Sequence, residues 1–134
     1  MEAKGRKILK VCGVFFVIEG IVGIISNGFM TLILGLGTFL DKTEGGALVT
    51  AIATIYLISS IISLIAGVMG IKYASNKSSK CLVWGIINLV LVLAGGIMSY
   101  MGQGVTVAHA AYCVATIVIP SFYIAGAYMN NNIE

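Results

Sequence analysis

Apolar residues fill this chain in four long runs, Ile8 to Leu40, Ala47 to Ile71, Cys81 to Met101 and Val105 to Met129. As a helix rising about 1.5 Å per residue, each run can cross a hydrocarbon core of about 30 Å. The connections, Asp41 to Gly46, Lys72 to Lys80 and Gly102 to Gly104, are short, which makes consecutive helices antiparallel neighbours. The pattern predicts an all-α fold with a single domain over residues 1–134, an integral membrane bundle of four antiparallel transmembrane helices.

Composition agrees with the pattern. At 59% hydrophobic and 10% charged residues, with a mean hydropathy of +1.05, too little charge is present to cover a water-soluble surface. Of the thirteen formally charged residues, eleven sit at the tails or between the runs and Lys10 lies at the very start of the first. Only Glu19 falls well inside one. Lys4, Arg6, Lys7 and Lys10 lie before or at the start of the first span and Lys72, Lys77 and Lys80 occupy the second connection, whereas the first and third connections together hold only Lys42. Basic residues mark the cytoplasmic side, so both N and C termini are expected inside, in a plasma membrane. The net charge of +3 then orients the chain and meets lipid headgroups; no nucleic-acid patch is present. The basic start resembles the charged region of a signal peptide, but the following run is too long for a signal core and reads as an uncleaved anchor. Asn76-Lys77-Ser78 fits the glycosylation pattern, on the wrong side to be used.

A weak internal repeat runs through the chain. A shift of 72 residues superposes Gly13 on Gly85 and Gly23 on Gly95, and a shift of 59 places Ala66-Gly67 on Ala125-Gly126. The mismatch locates additional residues near Phe29 to Gly46. Three accommodations are open for the first helix: projection beyond the bilayer, strong tilt, or a break near Ser26-Asn27-Gly28.

Seventeen glycines matter next. Lipid tails give helices little hydrophobic reason to associate, so small residues spaced by four allow close backbone approach. Ser59, Ser63 and Gly67 form such a row with Gly70 beside it, Gly95 and Ser99 another, and Gly13, Gly20 and Gly23 serve the first helix. Packing within one bundle is the first reading; self-association, or packing on a partner membrane protein, is the second.

Depth organises the polar side chains. Nine residues from Lys10 to Glu19, eight from Lys80 to Asn88, nine back from Lys72 to Ser63 and seven back from Tyr128 to Ser121 all correspond to about 10–14 Å of helix. Pro120 lies at the same level and frees the carbonyl of Thr116 one turn earlier, which kinks the fourth helix. Glu19, Asn88, Ser63, Ser121, Thr116 and Pro120 are therefore expected in one layer. Two roles for Glu19 stay open. Either it is a neutral, hydrogen-bonded structural group, or it exchanges a proton or meets a cation in a pathway between helices.

The four-span layout with Glu19 in the first helix resembles the small multidrug resistance transporters, which implies proton-coupled transport of small cations or lipophilic compounds. The segments GIVGIISNG and IAGVMGIKYASNKSSKCLVWGIINLVL resemble the small glycine- and isoleucine-rich four-span proteins of Gram-positive bacteria, a group that carries no activity over to this chain.

Other chemistry is sparse. His109 is the only histidine and reads as an interfacial residue. Cys12, Cys81 and Cys113 leave no cysteine in the outer connections, so neither a disulfide nor a cysteine metal site is expected. Trp84, Tyr73 and Tyr128 toward one face and Tyr56, Tyr100 and Tyr112 toward the other read as interfacial anchors. With no phosphate loop, nucleophile elbow or HExxH pattern, no enzyme and no cofactor are expected. The expected class is a non-enzymatic membrane component, a self-associating scaffold, accessory subunit or oligomeric pore, with the Glu19 transporter as its rival.

Overall fold

A computed structural model of the chain describes residues 5–41, 46–77, 79–103 and 106–132. Residues 42–45, including Lys42, residues 104 and 105 of the third connection and fourth run, and Ser78 of the Asn76-Lys77-Ser78 pattern lie outside the described residues, as do Lys4 and both chain ends. Four helices follow one another: α1 (Arg6–Asp41), α2 (Gly46–Tyr73), α3 (Ser79–Gln103) and α4 (Val107–Asn131). Each is long and apolar enough to span a membrane, and the chain is a multi-pass membrane protein by this measure.

Helix ends extend past the apolar runs by one or two residues, because a helix continues into the headgroup region where side chains turn polar, as at Arg6, Lys7, Lys72 and Tyr73. At α4 the start is set locally. The Thr106 hydroxyl oxygen accepts the His109 backbone N–H at 3.2 Å, which caps the helix and places its first residue at Val107.

α1 does not break at Ser26-Asn27-Gly28; it is helical for 36 residues. The Ser26 hydroxyl donates to the Val22 carbonyl and Thr31 Oγ1 donates to the Asn27 carbonyl at 2.7 Å, so these hydroxyls are satisfied without opening the helix. At about 54 Å it exceeds a bilayer of about 40–45 Å including headgroups, which leaves projection or tilt to absorb the excess.

The helices form a four-sided arrangement in which α1 packs along α2, α2 on α3, α3 on α4 and α4 back on α1, the α1–α2 pair being the most extensive. That seam is narrow because it is glycine-lined. A Cβ placed on Gly67 would stand 2.6 Å from the Gly13 carbonyl oxygen, and one on Gly20 would stand 2.7 Å from the Leu64 backbone nitrogen, so only glycine permits the approach.

Apolar burial is concentrated at one end. Leu9, Cys12 and Phe16 of α1, Ala66 of α2, Ala74 just beyond it, Cys81 of α3 and Tyr123 and Ala127 of α4 make a single core. Phe16 and Tyr123 meet at its centre with ring centroids 5.0 Å apart. Hydrogen bonds tie the helices there: Tyr123 OH donates to the Ala66 carbonyl at 2.6 Å, and Asn130 Nδ2 donates to the Ala74 carbonyl at 2.8 Å. The opposite end lacks such a core among the described residues, and α1 points Ile25, Phe29, Leu36 and Phe39 outward along it.

Candidate functional site: a polar cleft beside Glu19

The residues expected to form one polar layer divide into two groups. Ser63 and Asn88 meet inside the packed end, where the Ser63 hydroxyl donates to Asn88 Oδ1 at 3.0 Å and both side chains are almost wholly buried, at 1% and 0% exposure. Pro120 is buried in α4. Glu19 and Ser121 face outward instead. Ser121 returns its hydroxyl to its own helix, donating to the Ile117 carbonyl at 2.8 Å.

Depth was the common property of these residues, and depth does not fix the side of a helix. Along α1 the inward stripe is Leu9, Cys12, Gly13, Phe16 and Gly20, at spacings of three and four. At about 100° per residue Glu19 lies roughly 75° round from the middle of that stripe. It leaves the Ser63–Asn88 pair behind and turns toward a different space.

That space is a cleft of about 320 Å³ bounded by all four helices. α1 contributes Glu19, Ser26 and Asn27, and α2 contributes Tyr56, Ser59 and Ser60. Tyr112, Cys113 and Thr116 of α4 face them, with Val92 and Gly96 of α3 closing the wall. Hydrogen bonds hold much of the polar lining in place. Asn27 Nδ2 donates to Ser60 Oγ at 3.2 Å, Ser60 Oγ donates to the Tyr56 carbonyl at 2.8 Å, and Tyr56 OH donates to the Gly95 carbonyl at 3.2 Å. Thr116 Oγ1 is held by the carbonyls of Tyr112 and Cys113 at 3.0 and 2.9 Å. Tyr56 and Tyr112 line this cleft, and Tyr112 is also exposed on the outside of the bundle.

The small-residue rows serve two purposes. Gly13, Gly20, Gly67, Gly70, Gly95, Ser63 and Ser99 are buried between helices, whereas Ser59 and Gly23 border the cleft. Tyr123, Asn27 and Asn130 were not singled out from the sequence, although each continues a helical stripe. Pro120, Tyr123, Ala127 and Asn130 step by three and four along α4, and Asn27 continues the inward stripe of α1 beyond Gly20 and Gly23.

Several polar atoms toward the packed end are unmatched: Asn88 Nδ2, Asn130 Oδ1 and Asn131 Oδ1 are buried without a hydrogen-bond partner. His109 lies near the other end of the bundle, half-buried on α4, with its Nε2 also unpartnered. Cys12 and Cys81 are buried thiols and Cys113 is half-buried; none of the three is in a disulfide. Among the described residues no three His, Cys, Asp or Glu side chains converge on a metal-sized space. The arrangement offers a single carboxyl beside hydroxyl and phenol groups, a set suited to holding a proton or a cation and lacking an activated nucleophile with its base. Comparison with protein-family models, with curated proteins and with solved structures finds no match to this chain.

Proposed function

We propose that this chain is a non-enzymatic protein of a bacterial plasma membrane in which the cleft beside Glu19 binds a proton or a small cation, the binding step of a proton-coupled transporter. One observation carries the reading: the only acidic side chain within the four spans lies on a polar-lined space shared by all four helices. A carboxyl at bilayer depth is costly unless it has a partner, and water and hydroxyl groups in a cleft supply one. Both termini belong on the cytoplasmic side by the distribution of lysine and arginine. An antiparallel order of α1 and α2 is supported by their register: Gly13 approaches Gly67, Gly20 approaches Leu64 and Gly28 approaches Leu57, one number falling as the other rises.

The test replaces Glu19 by Gln, which keeps the hydrogen bonding of a neutral acid and cannot titrate. Protein in liposomes is expected to bind and take up tetramethylammonium with a pH dependence that the variant loses, at unchanged helical content. Equal binding and an unchanged pH profile in Glu19→Gln overturn the reading. A variant that fails to assemble assigns Glu19 a structural role instead.

Self-association is a second reading with its own support. The far half of α1 turns Phe29, Leu36, Phe39 and Leu40 outward, and nothing packs against Gly35 or Gly37, so a helix longer than the bilayer carries an apolar face that a second copy could cover.

A further inference from the structure

The outer surface of α1 changes character along its length. Lys7, Lys10, Val11, Val14, Phe15 and Ile18 recur at spacings of three and four and all are exposed, so one face of the helix is basic at its foot and apolar above. Where this face meets α4 the surface is indented. A groove of about 410 Å³ runs there, lined by Ile8, Val11 and Phe15 of α1 and by Ile119 and Phe122 of α4, with the buried Cys12 as its floor and Lys7 as its only charged residue.

Local sequence shapes this groove. On α1 the short Cys12 side chain stands between the longer Ile8 and Phe15, one turn to either side. On α4 the residue one turn beyond Phe122 is Gly126, which packs directly on α1: a Cβ there would stand 3.2 Å from Ile8 Cγ2. No side chain from that position narrows the Lys7 end. From Lys7 to Phe15 the groove follows about 12 Å of helix, most of the roughly 15 Å depth of one leaflet's hydrocarbon. The described acidic residues, Glu19 and Asp41, lie about 18 and 51 Å farther along α1, so the described residues bring no carboxylate to this end of the bundle. A second apolar groove of similar size, about 420 Å³, lies between α3 and α4 beside Leu93, Ile97 and Ile117, and it has no lysine or arginine.

We propose that the α1–α4 groove is a binding site for an anionic phospholipid, with one acyl chain along Val11, Phe15, Ile119 and Phe122 and the headgroup phosphate on Lys7. Lys10 stands on the same face of α1 and adds a second positive charge at the headgroup level. Charge complementarity commits the occupant. Lipid covers any outward groove in a bilayer, but this one joins an ammonium at headgroup depth to an apolar length that matches an acyl chain. A zwitterionic lipid fills the same groove and gains less, because its own positive group competes with the lysine for the phosphate. The α3–α4 groove, without such a lysine, takes lipids regardless of headgroup. Because Cys12 belongs to the core, a chain seated on it also braces α1 against α4. The site shares no lining residue with the Glu19 cleft and stands independently of the role of Glu19.

The experiment places the full chain in phosphatidylcholine nanodiscs with a trace of phosphatidylglycerol that carries a diazirine on its acyl chain, and compares it with the same diazirine on phosphatidylcholine. Illumination is expected to place more adducts on Val11, Phe15, Ile119 and Phe122 from the anionic probe, while Leu93 and Ile97 of the α3–α4 groove are labelled equally by both. Lys7→Gln is expected to lower that excess about fivefold, the effect of one lysine near an anionic lipid surface, and Lys7→Arg to keep it. Lys80→Gln removes the same charge from α3, which lies diagonally across the bundle from α1 at about 13 Å, farther than a screening length of about 8 Å, and is expected to leave the excess unchanged. Equal labelling of the α1–α4 groove by both probes, or an excess that survives Lys7→Gln, marks an ordinary lipid contact and overturns the proposal. An equal loss in Lys7→Gln and Lys80→Gln traces the excess to the charge of the whole end and overturns it as well. Absence of adducts in the groove from either probe, with Leu93 and Ile97 still labelled, means that protein covers this face, as a second copy would, and leaves no lipid site there.

Discussion

Replacing Gly67 by Ala tests the packing logic of the bundle at its most extensive seam. The new methyl group would meet the Gly13 carbonyl oxygen at 2.6 Å and the Val17 backbone nitrogen at 2.7 Å. Both obstacles are backbone, so no side chain can swing aside, and α1 must move away from α2 until the contact relaxes. Reaching an ordinary separation requires an opening of about 0.8 Å, and a gap of that size forfeits a quarter to a half of each van der Waals well. For roughly 40 atom pairs along the seam at about 0.15 kcal/mol each, losing a third costs about 2 kcal/mol, within the range measured for overpacked interiors. Alanine also returns some helix propensity relative to glycine, up to about 1 kcal/mol. Gly37→Ala receives the same return without a clash, since nothing lies within 4 Å of that position. The difference between the two variants isolates the packing term. Detergent-driven unfolding in mixed micelles, followed by the single tryptophan, Trp84, packed against the core, should show Gly67→Ala less stable than Gly37→Ala by about 2 kcal/mol, or about thirtyfold in the unfolding equilibrium. Equal stability of the two variants would refute the close approach of α1 and α2.

The same unfolding measurement tests two hydrogen-bonded sites. Tyr123→Phe keeps the ring against Phe16 and removes the bond to the Ala66 carbonyl, so a loss of about 0.6–1.5 kcal/mol is expected, the range for one interhelical bond in a membrane protein; no change would place the hydroxyl elsewhere. Ser63→Ala leaves both polar ends of the buried Asn88 amide unmatched and is expected to cost about 1–3 kcal/mol, whereas the double change Ser63→Ala with Asn88→Leu removes the polar pair and should recover most of that loss. A double variant less stable than Ser63→Ala alone would mean that Asn88 has a partner other than Ser63.

Hydropathy made the four helices legible residue by residue, because a run of more than twenty apolar positions has one physical solution in lipid. Rotation about each helix axis was much less legible. Glu19 and Ser63 share a depth, yet Glu19 lies about 75° round α1 from its inward stripe and enters the cleft while Ser63 is buried in the core. In a soluble helix the polar face marks the outside and resolves such rotations; here the outward residues Val14, Phe15, Ile18 and Val22 are as apolar as the inward Leu9 and Phe16. Glycine spacing partly replaces that signal. Gly13, Gly20 and Gly67 were legible as packing positions because a missing side chain matters only where another backbone comes close. Tyr123 was hidden by the opposite bias: aromatic residues near helix ends are ordinarily interfacial, and only its place in the Pro120, Ala127, Asn130 stripe marks it as buried.

Lipid supplies no hydrophobic drive to hold helices together, so a bundle stays closed only where backbones approach or polar groups bond across it. This chain puts most of those devices at one end: the glycine seam from Gly13 to Gly20, the Phe16–Tyr123 ring contact, and the bonds to the carbonyls of Ala66 and Ala74. Toward the other end the interhelical contacts give way to the Glu19 cleft, whose polar lining is braced mainly within and between α1, α2 and α3. α4 is the exception: Thr116 bonds only to its own helix, and the Gly96–Cys113 seam has no bond across it. On the cation-binding reading, stability and ligand access are thereby separated along the bundle axis. A change at Tyr123 should move the unfolding equilibrium and leave cation binding in the surviving folded protein intact, whereas Glu19→Gln should move binding at nearly constant stability. If both variants shifted both quantities together, the packed end and the cleft would be one cooperative unit, and α4 could not move against α3 without unfolding the core.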